Sequence, residues 1–263
     1  NGLESWSYPL NVNTLVNGVS YIVSSLSWDI AGNIQNGTGG DTLTYDVTVP
    51  NAGNVYDGSG QSDQDWSNST TELSANWSNF NDGVSGIAGY EYAVGSTVAG
   101  TDILFWTENG TDTVFTQSIT LNSGDTYYVS VRATDGADNV SNVGTSDGIT
   151  IDAVDPSVSD ILEGSTEQDY DYQQDGTSLT ISWAGSDAVR SFSNGRDLSS
   201  FSVSLGTEPS EINVVDWVNV GNATEYIFTG LELIESETYY ANVKALDLAG
   251  NESEIFSGDG ITI

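Results

Sequence analysis

The sequence predicts an all-β chain of tandem antiparallel β-sandwiches, the first of them incomplete. Three observations carry that prediction. A turn of the form Asp-x-x-x-Asn recurs at fixed distances from a tyrosine and a leucine, apolar and polar residues alternate with period 2, and no segment shows a helical period.

The repeat sets the organisation. The turn stands at Asp29 to Asn33 ("DIAGN"), Asp135 to Asn139 ("DGADN") and Asp247 to Asn251 ("DLAGN"). Eight residues before each Asp comes a tyrosine (Tyr21, Tyr127, Tyr239), and six before each tyrosine a leucine (Leu15, Leu121, Leu233). Fourteen after each Asp stands Leu43, Ile149 or Ile261. Residues 46 to 77 also overlay 152 to 183 at an offset of 106 without a gap, matching Gly58 with Gly164 and Trp77 with Trp183. Constant spacing of this kind marks structural repeats. The chain therefore divides into the second half of a unit (1–46) and two complete units (47–152 and 153–263). The boundaries "DVTVP" and "DAVDP" are too short for flexible tethers.

Within a complete unit the strands follow from alternation. Leu73, Ala75 and Trp77 share one face, as do Tyr90, Tyr92 and Val94, and then Tyr127, Val129, Val131 and Ala133. Asp, Gly and Asn at the turn tolerate the left-handed backbone that reverses the chain into the last strand, "ITI". About seven short strands per ~100 residues read as a sandwich. Half a sandwich has no closed core, so residues 1–46 imply either further sequence upstream or a strand supplied by another molecule.

The segments "LSANWS" (73–78) and "LTISWA" (179–184) resemble the second strand of a fibronectin type III domain with its core tryptophan. "LNSGDTYYVSVRA" (121–133) and "LIESETYYANVKA" (233–245) resemble that family's tyrosine-corner loop and sixth strand. The "D-x-A-G-N" turn is similar to turns in bacterial surface proteins with tandem immunoglobulin-like modules. The resemblance implies that Trp77 and Trp183 fill cores and that Tyr127 and Tyr239 hydrogen-bond back to the preceding loop. The first unit departs from the pattern, with Ser25 where the next unit has Val131.

Composition excludes several functions. The chain of 263 residues carries 38 acids against 4 bases, for a net charge of -34. Arg132, Arg190, Arg196 and Lys244 offer no basic surface for nucleic acid or anionic lipid. No apolar stretch reaches membrane-spanning length. With no Cys, His or Met there is no disulfide, thiol nucleophile or histidine base, and the acids are spread over repeating loops, so an enzyme is not expected. A start without methionine or leader reads as a processed protein or a piece of a longer one.

Calcium is the cofactor that the acids suggest. Asp57, Asp63 and Asp65 lie between the first two strands of one unit, and Glu163, Asp169 and Asp171 occupy the same place in the next. Alternate carboxylates suit a cation that takes six to eight oxygens. Asp63 and Asp65 are expected to approach the linker residues Asp152 and Asp155, together with the facing Asp247–Asn251 turn, and a cation there to stiffen the joint, by analogy with the interdomain sites of cadherins. The alternative is solvated acidic loops, in an acidic or halophilic protein. Trp66 and Tyr172, paired by the offset, are candidates to stack on glycans, and Asn-x-Ser/Thr triplets begin at Asn36, Asn68, Asn76, Asn109, Asn139, Asn222 and Asn251. The resulting expectation is a secreted or cell-surface spacer or stalk of an adhesin, surface layer or filament, partnered by further copies of the repeat. The alternative is a carbohydrate-binding accessory region of a secreted polysaccharide-degrading enzyme.

Overall fold

The computed structural model describes residues 7, 9–35, 39–60, 62–188 and 198–263. Trp6, Asn36, Arg190 and Arg196 lie outside these residues. The chain forms two compact units: 1–63 with 74–116 and 128–148, and 64–73 with 117–127 and 149–263. The repeat spanning 47–152 contributes segments to both. Among the described residues the structure is all-β apart from one 3-10 turn, Val12–Thr14, and no helix is long and apolar enough to cross a membrane.

The first unit opens with β1 (Ser20–Val23), β2 (Ser27–Trp28), β3 (Ile34–Gln35) and β4 (Asp41–Thr44). Strands β1 and β4 pair antiparallel with Tyr21 opposite Leu43, and β2 pairs with β3. Their side chains are largely solvent-facing: Ile22 is 75% exposed and Trp28 71%. Two two-stranded ribbons bury no apolar face of their own.

The next strands are β5 (Asn54–Asp57), β6 (Trp66–Ser67), β7 (Glu72–Ser78), β8 (Ile87–Gly95), β9 (Leu104–Gly110), β10 (Val114–Ser118), β11 (Thr126–Asp135), β12 (Gly144–Thr145) and β13 (Ile149–Ile151). One sheet has the order β10-β7-β5, and in the other β8 lies between β9 and β11. Alternation buries Val55, Ala75, Trp77, Tyr92, Val94, Val129 and Val131. The Trp77 ring meets the Tyr90 ring edge-on at 5.6 Å and 65°.

The second unit continues through β14 (Ser157–Glu163), β15 (Ser178–Ser186), β16 (Leu198–Gly206), β17 (Val215–Gly221), β18 (Glu225–Thr229), β19 (Thr238–Asp247), β20 (Phe256–Ser257) and β21 (Ile261–Thr262). Sheets of order β14-β15-β18 and β17-β16-β19-β20 enclose a core of Leu179, Ile181, Trp183, Phe201, Val203, Leu205, Phe228, Tyr239, Val243 and Ile261. Trp183 meets Phe201 edge-on at 5.6 Å and 67°, the same geometry as its counterpart. Each indole buries about 150–250 Å², worth roughly 4–6 kcal/mol of transfer free energy at 25 cal/mol per Å².

The tyrosine corners form as the resemblance implies. Tyr127 accepts the Asn122 N–H at 3.0 Å and Tyr239 the Ile234 N–H at 2.9 Å. Tyr21 does the same with Val16 at 2.8 Å, on a ring that is only half-buried. Each Asp-x-x-x-Asn turn closes alike. The Asp135 carboxylate accepts the Asn139 backbone N–H and side-chain amide, both at 2.9 Å, and Asp247 accepts both from Asn251 at 2.8 and 2.7 Å.

Candidate metal centres

Four groups of three carboxylates assemble among the described residues, each with ligand-capable oxygens within 4.8 Å of one another. They fall into two types, and each type occurs twice.

The first type sits at the end of a complete unit's first strand. Period 2 in β5 turns Val55 and Asp57 inward, so the strand ends on a buried acid that is 0% exposed. Gly58 then adopts φ +85° and reverses the chain, a conformation strained for any side chain. Asp63 folds back and accepts the Asp57 N–H at 2.7 Å. Asp147 completes the group. The Asp57 carboxylate accepts the Gly148 N–H on Oδ2 at 3.1 Å, whereas its Oδ1 is sealed from solvent and accepts no hydrogen bond. Burial pushes the Asp57 pKa up to about 7 against the help of the Ser146 hydroxyl and the Gly148 N–H, and the charges of Asp63 and Asp147 push the same way.

The counterpart is Glu163 with Asp169 and Asp259. Gly164 reverses the chain at φ +89°, and Asp169 accepts the Glu163 N–H at 2.7 Å. The extra methylene lets Glu163 satisfy two backbone donors, Ala241 N–H on Oε1 and Gly260 N–H on Oε2, both at 2.8 Å. Burial raises this carboxyl to about 7 as well, and it raises Asp259, with the charge of Asp169 adding to it. In the Asp57 copy the donor equivalent to Ala241, Val129 N–H, goes instead to Ser146 Oγ at 2.9 Å.

The second type lies where one repeat joins the next. Asp46 gathers with Asp82 and Asp135 in the first unit, and Asp152 with Asp187 and Asp247 in the second. The turn asparagine ties each linker aspartate to the repeat that follows it, since Asn139 donates to the Asp46 carbonyl at 3.4 Å and Asn251 to the Asp152 carbonyl at 2.9 Å. Ser85 adds a bond to Asp46 Oδ2 at 2.6 Å. Asp82 Oδ2 accepts the N–H groups of Val84, Ser85 and Gly86, which hold its pKa down, while its Oδ1 and both oxygens of Asp187 are sealed and without partners. Burial raises Asp152 to about 6, and the carboxylates of Asp187 and Asp247 push it further up.

The residues expected from the sequence thus divide. Asp57 joins Asp63, Glu163 joins Asp169, and Asp152 belongs to a joint group. Asp65, Asp171 and Asp155 belong to none of the four groups. The backbone carbonyls of Asp65 and Asp171 accept Thr150 and Thr262 N–H at 2.8 and 2.9 Å, and Asp155 is exposed in the linker. The sequence reading did not select Asp147 and Asp259, although "SDGITI" and "GDGITI" repeat around them. It also missed Asp82 and Asp187, which follow Trp77 and Trp183 by five and four residues.

The described basic side chains are engaged elsewhere. Arg132 pairs with Glu91 at 2.8 Å over the Trp106 ring, and Lys244 pairs with Glu252 at 2.6 Å over Trp217. Of the two glycan candidates, Trp66 is half-buried opposite Thr150, whereas Tyr172 bridges to Thr262 and is 76% exposed. The side-chain amides of Asn139 and Asn251 are committed to their turns and joints.

No family model matches the chain. It is 27% identical over 263 residues to exoglucanase B of Cellulomonas fimi, covering 94% of this chain and 20% of that protein, so it spans about a fifth of its relative. Among solved structures it is similar to the FN1–FN3 domains of chicken CNTN1, at TM-score 0.44 and 13% identity, over 95% of this chain and 80% of that one. The fibronectin(III)-like modules of Clostridium thermocellum CbhA give 0.45 and 12%, over 80% and 93%. A two-domain fibronectin type III segment of chicken tenascin gives 0.30 and 21%, over 81% and 99%. The sandwich fold is evident in the chain's own strand order and tyrosine corners.

Proposed function

We propose that the chain is a non-catalytic repeat segment of an extracellular protein, a spacer of successive fibronectin type III-like sandwiches in which each linker is tied to the repeat it enters. The observation that carries this reading is the identical construction of the joints. A turn asparagine of one repeat hydrogen-bonds the linker aspartate entering it, once as Asn139 to Asp46 and again as Asn251 to Asp152. A mobile tether has no use for such a bond, whereas a spacer that transmits position does. Stalks of adhesins, surface layers and filaments are the settings it suits, with further copies of the repeat as neighbours. Calcium is the cofactor this reading calls for at the joints, where Asp46, Asp82 and Asp135, and Asp152, Asp187 and Asp247, crowd like charges.

Small-angle scattering of the full chain tests the proposal. Replacing Asn139 and Asn251 together by Ala is expected to broaden the distance distribution, and calcium to narrow that of the unaltered chain. A wild-type distribution as broad as the variant's would end the spacer reading. Length and melting temperature unchanged by EDTA would remove calcium from it.

A second reading, a carbohydrate-binding accessory region, is favoured by the relative's being an exoglucanase and by the exposed ring of Tyr172. Saturable binding on a glycan array, lost in Tyr172→Ala, would select it.

A further inference from the structure

The Asp57 copy of the strand-end group differs from the Glu163 copy in one respect that bears on ligands. Glu163 spends each of its oxygens on a backbone N–H. Asp57 is one methylene shorter and 0% exposed, and it meets a single backbone N–H, that of Gly148 on Oδ2, with the Ser146 hydroxyl as a further donor to the carboxylate. Its Oδ1 is left within the protein with no donor. A buried carboxylate oxygen without a partner forfeits its hydration for nothing in return. The Val129 N–H that would match Ala241 goes to Ser146 Oγ, the Ser146 hydroxyl is the side-chain donor that favours the Asp57 anion, and the described cations, Arg132 and Lys244, are paired with Glu91 and Glu252.

A cation from solution would supply what Oδ1 lacks. Asp63 and Asp147 bring two more carboxylates to within 4.8 Å, both on the exposed side, so the group is buried at one end and open at the other. An ion entering from solvent would meet the exposed pair first and Asp57 last. Three carboxylates from three separate segments form an irregular oxygen cage, which suits calcium better than magnesium, with its strict octahedron at 2.0–2.1 Å.

We infer that Asp57, Asp63 and Asp147 form a calcium site internal to the 47–152 repeat, distinct in its residues from the joint groups. Calcium there takes Asp57 Oδ1 as its buried ligand and ties the end of β5 to the turn at 63 and to the segment entering β13. The remaining ligand positions fall to water and carbonyl oxygens.

The test uses the full chain, stripped with EDTA and titrated with calcium chloride at pH 8 by calorimetry, beside Asp147→Asn and Asp259→Asn. Both substitutions are at exposed positions, which keeps folding out of the comparison. Asp147→Asn should lose one equivalent of bound calcium and part of the calcium-induced rise in melting temperature, while Asp259→Asn, at the copy with saturated oxygens, keeps that equivalent. Asp63→Asn is a second variant expected to lose it. Absence of calcium binding, full stoichiometry in Asp147→Asn, or equal binding of magnesium would each overturn the inference. Because the readout is one equivalent at named residues, it can fail while the scattering test of the joints succeeds, and the reverse.

Discussion

Glu163 occupies space that Gly258 leaves open. A Cβ at 258 would stand 2.5 Å from the Glu163 Cδ, and Glu163 cannot retreat without releasing Ala241 or Gly260 N–H. At the equivalent positions the other repeat has Asp57 and Ser146, a shorter acid with a side chain filling the difference and taking over one of the bonds. Acid length and serine or glycine are two halves of one solution.

The pairing predicts coupled stabilities. Gly258→Ser and Glu163→Asp should each destabilise by about 1–3 kcal/mol, the first by overpacking and the second by orphaning a buried donor. Combined, they recreate the Asp57–Ser146 arrangement and should recover more than half of the summed loss. Chemical denaturation of the four chains measures the coupling, and additivity would refute it.

A pH dependence follows from Glu163. Its carboxyl titrates at about 7 in the folded chain, above the usual value of 4.5, because burial disfavours the anion. The neutral form is therefore favoured by folding: the associated stability is complete below pH ~4.5 and is lost as pH rises through 7. The shift corresponds to something on the order of 3 kcal/mol. In EDTA, the transition of this repeat should move to lower temperature between pH 5 and pH 8. Glu163→Gln should flatten that slope even if it lowers the midpoint, and an unchanged slope would contradict the assignment.

The tyrosine corners give a smaller effect. Tyr239→Phe keeps the ring in the core and removes the acceptor of Ile234 N–H, for an expected cost of about 0.5–1.5 kcal/mol. Trp183→Ala should cost about 3–5 kcal/mol, since it opens a cavity beside Phe201. Urea titration distinguishes the two, and equal losses would mean that the corner bond is not the source.

The joint can be probed locally. Asn251→Ala removes the bond to the Asp152 carbonyl and one bond within the Asp247 turn. Faster amide exchange near residues 152–156, with the protected strands β15 and β19 unchanged, is the expected result. Uniform acceleration across the repeat would indicate global destabilisation instead.

The sequence by itself determined what depends on near neighbours. Tyr127, Val129, Val131 and Ala133 face one way because a strand alternates, and the turn from Asp135 to Asn139 closes because its acid can reach four residues along. The tyrosine corner likewise spans only five residues, from Asn122 to Tyr127. The repeat made each of these visible more than once. Which acids meet was decided by tertiary structure. The sequence placed Asp65 beside Asp63 and Asp171 beside Asp169 because they are adjacent in the chain, but a carboxylate group is completed by whatever strand order brings close. The meeting of two different sheets delivers Asp147 to Asp57 across ninety residues and Asp259 to Glu163 across ninety-six. The calcium site proposed at Asp57 likewise turns on one buried oxygen and the donors around it, which only packing in three dimensions fixes.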